Sequence, residues 1–208
     1  MTAALPIREL IEIDALVVPR TVEQYHRLIG TDIEEGEPFE LLRGQVVRKD
    51  RSHRGGDPVT VYPPHVYAVR QLGKLGSRIE PLGGHIRTEQ PLTLPPYDEP
   101  EPDAVVVTGA DTAYRGRHPG PDDVLMVFEV ADASLHRDRT TKARIYAAAG
   151  IARYAILNLP DRVAELHTEP MAAEGRYGKA ETLADDGELA VPTPAGEPVR
   201  VRVADLLP

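Results

Sequence analysis

The sequence predicts a mixed α/β fold, one mixed sheet with a single crossover helix, on three observations. Short apolar runs rich in Val, Ile and Leu recur at 104–108, 124–131 and 153–159, the length of strands rather than helices, and a further strand is read at roughly 85–94. Helical spacing of apolar residues is confined to a few longer stretches, the clearest at 63–79 and 136–149. The order is helix, strands, helix, several strands, helix, strands, which is not the regular alternation of a doubly wound sheet.

Each element has a local reason. Thr21 caps a helix over Val22–Ile29, which Gly30 closes. Phe39–Val47 reads as a hairpin, two apolar runs about an Arg43-Gly44 turn. The polar stretch from Arg48 to Pro58 reads as a mobile loop. Pro63 and Pro64 open a helix to about Ile79, with Val66, Val69, Leu72 and Ile79 at helical spacing. The proline-rich connector Pro95–Pro102 is a rigid loop that delivers Asp103 to the start of the 104–108 strand. The third helix ends at Gly150. Strands then follow at Arg153–Leu159 and Val163–Thr168, with a further strand at Tyr177–Leu183. The tail is read as one strand and a short helix.

Composition narrows the function. The 208 residues, 41% hydrophobic and without an evident linker, are read as one domain spanning 1–208. With no cysteine, the chain has no disulfide, thiolate zinc site or cysteine nucleophile. No apolar run approaches a membrane span and the first residues do not resemble a leader, so a soluble cytoplasmic protein without membrane contact is expected. A net charge of −9 argues against a protein that coats nucleic acid. The distribution is uneven, however. Residues 43–87 carry nine Lys or Arg against three acids, and residues 136–153 carry five against one. Both windows can be solvated mixed-charge surface, or together a phosphate-facing side.

Three residues stand out in order: Asp103 after Pro102, Glu129 inside Val124–Ala131, and Lys142 on the next helix. Read alone, Asp103 is a loop acid ahead of a strand. Glu129 is harder to dismiss, because Phe128 and Val130 flank it in the most apolar run of the chain. Burial there without a partner costs several kcal/mol or forces protonation, unless the strand is an edge with Glu129 facing water. Asp138, Lys142, Tyr146 and Ala149 share one helical face, so Lys142 is either semi-buried beside the Glu129 strand or a surface lysine paired with Asp138. Two carboxylates at adjacent strand ends with an ammonium nearby suit a divalent metal and phosphodiester chemistry. Glu40 in the hairpin and His65 at a helix start are weaker candidates. No phosphate-binding glycine loop and no nucleophile elbow is present.

The stretch FEVADASLHRDRTTKARIYAAAGIARYAIL resembles the central motif of the family often called Uma-two, restriction-endonuclease-type proteins of the PD-(D/E)xK nuclease superfamily. Asp138, Lys142, Tyr146, Gly150 and Tyr154 fall where that pattern wants them. FELLRGQVV is similar to its hairpin, PPHVYAV to its histidine-bearing helix and EPDAVVV to its Pro-Asp strand, so the likeness covers residues 20–205 or so. Ala131–Ser134 departs from the family's usual Leu-Ser-Pro-Ser, and Arg43-Gly44 from Asp-Gly. The lysine lies thirteen residues after Glu129 rather than two, a migration the family shares.

The resemblance implies a restriction-endonuclease-like core, a mixed sheet flanked by helices with Asp103 and Glu129 on neighbouring strands. It implies Mg2+- or Mn2+-dependent hydrolysis of DNA, with a homodimer for double-strand cleavage. Asp103, Glu129 and the Val130 carbonyl would hold the metal, and Lys142 would orient the water or stabilise developing charge. Glu40 would support a water or a second ion, with Tyr146 and His65 around the centre. Two other readings stay open: a binding or assembly protein that kept the fold and lost the activity, and a metal-dependent phosphoesterase of small substrates.

Overall fold

The computed structural model describes residues 18–29, 39–49 and 62–208. Helix α1 (Val22–Ile29) precedes a hairpin of β1 (Phe39–Leu42) and β2 (Gln45–Arg48). Then come α2 (Pro63–Lys74), the short α3 (Gly76–Ile79), β3 (Gly84–Thr88), β4 (Ala104–Thr108) and β5 (Val124–Ala131). A helical segment follows: α4 (Leu135–Arg137), a π-helical turn over Asp138–Lys142, and α5 (Ala143–Ala148). Strands β6 (Arg153–Asn158), β7 (Val163–Met171), β8 (Arg176–Leu183), β9 (Glu188–Val191) and β10 (Val199–Arg202) lead to α6 (Val203–Leu206). Among the described residues no helix is long and apolar enough to cross a membrane.

Six strands form the central sheet in the order β3-β4-β5-β6-β7-β8. Only β5 and β6 pair in parallel, and the 135–148 segment is the crossover between them. The fold is the mixed α/β type expected, and its sheet is covered by helices on both faces. Alternation along β5 sorts the core. Met126, Phe128 and Val130 face α2, α3, the β9–β10 hairpin and α6, while Val127 and Ala131 face α5 and Leu42 of the β1–β2 hairpin. Glu129 has the second parity and therefore sits beneath the crossover segment. β5 is interior to the sheet, which settles the edge-strand alternative: Glu129 is 2% exposed.

The β1–β2 turn has both central residues left-handed, Arg43 at φ 52° and Gly44 at φ 76°, the primed geometry that matches hairpin twist. Gly44 also lies where a Cβ would meet the Cβ of Pro19 at 2.4 Å. The connector after β3 runs alongside this hairpin: Leu41 and Glu99 exchange backbone hydrogen bonds of 3.2 and 2.8 Å, and Gly44 donates to the Tyr97 carbonyl at 2.7 Å. The proline-rich segment thus both delivers Asp103 and clamps the hairpin over the sheet.

Several boundaries differ from expectation. The strand expected at 85–94 stops at Thr88, because Glu89 takes a left-handed φ of 51° and turns the chain out of the ladder. The helix from Pro63 is interrupted near Leu75, where Gly76 brings its backbone against Ile86: a Cβ there would sit 3.1 Å from its Cγ2. The tail forms two strands rather than one, pairing β9 with β10 as a separate hairpin. Most of the 48–58 loop, and Gly30 as the stop of α1, lie outside the described residues. At Gly44, substitution by Ala should lower the unfolding free energy by about 1–3 kcal/mol, combining a left-handed φ with the Pro19 contact. Urea denaturation reads this; an unchanged midpoint would mean the turn is not held as described.

Candidate active site

Antiparallel pairing of Ala104 with Phe128 extends by one residue to set Asp103 opposite Glu129, on the face under the crossover segment. Asp103 is 4% exposed and firmly placed. Its Oδ2 accepts the Val130 N–H at 2.7 Å and lies 3.2 Å from His65 Nε2, which the first turn of α2 supplies. Burial disfavours the Asp103 carboxylate, but the His65 contact and the Lys49 ammonium outweigh it and hold the pKa below the usual range.

Glu129 is met from above by two residues one helical turn apart. Lys142 Nζ donates to Glu129 Oε1 at 2.9 Å, and the Tyr146 hydroxyl donates to the same oxygen at 2.7 Å. Neither bond occupies Oε2. Lys142 is 1% exposed and also reaches Glu40 Oε2 at 3.2 Å. Burial, the strongest influence, pushes the Glu129 carboxyl up to about 8, against the pull of Lys142. Burial lowers Lys142 in turn, but Glu129 and Glu40 outweigh it and keep the ammonium well above its ordinary pKa. The surface pairing of Lys142 with Asp138 does not occur. The π turn that carries Lys142 is a widened ring of a kind often found at functional sites, and Tyr154 donates to its Asp138 carbonyl at 3.1 Å.

One small cavity, about 40 Å³, collects these groups. Asp103, Glu129, Val130, His65 and Lys142 all line it, so five of the seven sequence-selected residues converge. Tyr146 stands behind Glu129. Glu40 does not line the cavity. It is fully buried, accepts the Glu101 N–H at 3.2 Å through Oε2, and leaves Oε1 without a hydrogen-bond partner. It lies behind the lining, with Oε2 on the Lys142 ammonium.

The structure adds residues that sequence reasoning missed. Lys49, 8% exposed at the end of β2, contacts Glu101 at 3.1 Å and Asp103 at 3.6 Å. It belongs to the cavity and not to an exposed phosphate-binding stripe; Arg51, grouped with it by local charge, lies outside the described residues. Asp138, Glu89, Asp132 and Arg137 complete the charged lining. Asp138 was visible as a helical neighbour of Lys142, whereas nothing in the local sequence marks Lys49 as inward-facing.

Together the lining carries five carboxylates against Lys49, Arg137, Lys142 and His65. Among the described residues, no group of three His, Asp or Glu side chains is placed to hold a metal on its own. Two carboxylates, a strand carbonyl and space for roughly two or three waters are a hard-oxygen donor set of the kind Mg2+ accepts, since that ion keeps most of its waters.

Comparison with known proteins bears on the family and the fold. The Uma2 family profile, described as "Putative restriction endonuclease", matches residues 22–199. Among solved structures, that of a "putative nuclease" from Anabaena variabilis ATCC 29413 resembles this chain with a TM-score of 0.65. The match covers 90% of this chain and 97% of that one at 13% identity, a likeness of fold. No curated protein matches the chain in sequence.

Replacing Lys142 by Met should destabilise the protein by about 3–5 kcal/mol at pH 8, because Glu129 and Glu40 lose their counter-ion. The loss should shrink toward pH 5. A carboxyl whose folded pKa is raised, as burial raises Glu129 from 4.5 to about 8, contributes stability at low pH that is lost as pH rises through the folded value. Removing the lysine deepens that raise. Unfolding curves at the two pH values check it, and a deficit that grows on acidification would contradict the buried triad.

Proposed function

Because the chain belongs to the Uma2 family, whose description is "Putative restriction endonuclease", we propose that it is a metal-dependent endonuclease hydrolysing DNA phosphodiester bonds. The observation that carries this reading is the meeting of Asp103 and Glu129 in one cavity, with Lys142 bonded to Glu129. In this reading Asp103, Glu129 and the Val130 carbonyl hold Mg2+ or Mn2+. A strand residue sends its N–H and C=O to the same side, so the Val130 carbonyl leaves β5 toward Asp103, which its N–H already meets. Bound there, the ion would polarise a phosphoryl oxygen and make a water more acidic at neutral pH.

The remaining steps belong to the protein. His65 and Val130 N–H fix the Asp103 carboxylate, and Tyr146 fixes Glu129, so neither ligand has to reorganise. Lys142 stays charged because Glu129 and Glu40 flank it. From that position its ammonium orients the attacking water or stabilises negative charge gathering on the phosphoryl oxygens, a contribution of roughly 3–4 kcal/mol for a well-placed donor. Cutting both strands of a duplex would call on two copies, so a homodimer is part of the proposal; the mass in solution tests it.

The discriminating experiment pairs supercoiled-plasmid nicking in Mg2+ or Mn2+ with calorimetric metal titration. Asp103→Ala should lose both activities. Lys142→Ala should keep or improve metal affinity, since removing a nearby positive charge cannot weaken a cation site electrostatically, yet nick at least about 100-fold more slowly. Wild-type protein that takes up no divalent metal would remove this mechanism. Metal binding without cleavage of plasmid, single-stranded DNA or RNA would favour a binding protein or a small-substrate phosphoesterase.

A further inference from the structure

Four basic side chains line the cavity, and three of them are engaged. Lys142 is held by Glu129 and Glu40, Lys49 by Glu101 and Asp103, and His65 by Asp103. Arg137, the last residue of α4, differs. It makes no hydrogen bond or ion pair among the described residues, and its Nε is sequestered from solvent without an acceptor. The side chain as a whole is partly exposed, so its remaining N–H groups can reach the cavity, while an Nε closed off without an acceptor costs about 1–3 kcal/mol. Its neighbour Asp138 supplies a favourable field but no direct contact.

We propose that Arg137 is the anchor for the substrate phosphate, its guanidinium gripping non-bridging oxygens of the phosphodiester that reaches the Asp103–Glu129 pair. This rests on the nuclease reading and adds to it the residue that recognises the substrate. Three facts support a phosphoryl group of the proposed substrate as the ligand of Arg137. The guanidinium offers a planar fork that fits two oxygens of one phosphoryl group. It shares a small cavity with the carboxylate pair, so an oxygen it holds is close to the proposed reacting centre. It also stands directly before the π turn that carries Lys142, so one rigid segment sets both the grip on the phosphate and the charge that acts on it.

Fluorescence anisotropy of a labelled duplex oligonucleotide in Ca2+, from 50 to 200 mM salt, reads the proposal without turnover. Arg137→Ala should bind roughly tenfold more weakly, with the slope of log affinity against log salt reduced by about 0.9, one lost phosphate contact. Arg137→Lys should recover the slope but only part of the affinity, since the charge returns without the fork. In neither variant should Mn2+ affinity or the melting temperature fall below the wild-type value. An Arg137→Ala protein that binds DNA with wild-type affinity and slope overturns the anchor while leaving the nuclease reading intact, provided wild type cleaves. A collapse of Mn2+ affinity or of the melting temperature in both variants would assign Arg137 to structure instead and overturn the proposal too. Wild-type protein that neither binds nor cleaves nucleic acid removes the nuclease reading and this inference with it.

Discussion

The structure turns on one buried cation, the Lys142 ammonium, set between Glu129 in the middle of the sheet and Glu40 in the hairpin. Two carboxylates in so dry a place would each demand several kcal/mol of desolvation, and their mutual repulsion would add to it. The lysine turns that liability into a link between three elements far apart in sequence. It ties the crossover segment to β5 and to the hairpin. An apolar trio of similar volume would satisfy the same space and is often the more stable solution. Charges kept in such a place accord with the proposed use of the site, at some cost in stability.

Around that centre Asp103, Glu129 and Glu40 are each held by donors from other parts of the chain. Asp103 is met by a β5 amide and by α2, Glu129 by the π turn and α5, and Glu40 by the amide of Glu101 in the proline-rich connector. The connector is therefore as much a part of the site as the strands. It clamps β1, places Asp103 and supplies Glu101, which restrains Lys49. A disturbance in this loop would reach the cavity through three separate contacts.

How much of this could be read from the sequence follows from how local each cause is. Glu129 and Lys142 were legible because an acid inside VLMVFEV and a lysine at helical spacing from Tyr146 are anomalies against their immediate patterns. The crossover was legible for the same reason. The Thr88 boundary was not, since the left-handed turn falls on Glu89, a residue type that carries no turn signal of its own. Nor was the role of Glu40, whose partner lies a hundred residues away. Lys49 was misleading: counting charges along the chain placed it in a basic surface stripe, while the fold turns it inward onto Asp103. Arg87 behaves likewise, 8% exposed and lying over the Tyr114 ring near Asp111. Linear charge density cannot separate a solvated cation from one already spent on a buried acid.

The same point resolves the apparent conflict between a net charge of −9 and a nucleic-acid substrate. At physiological ionic strength charges more than roughly 8–10 Å away are largely screened, so acids in the outer parts of the chain matter little at the cavity. What matters there is the lining, where carboxylates outnumber cations. With Glu129 pushed up by burial and Lys49, Lys142, His65 and Arg137 facing the acids, the charge at the cavity is nearly balanced rather than strongly negative. On the proposed nuclease reading, a bound divalent ion would add positive charge beside Arg137, and the two together would meet the phosphate. On the proposed reading, a protein acidic overall could then hold DNA locally at this cavity.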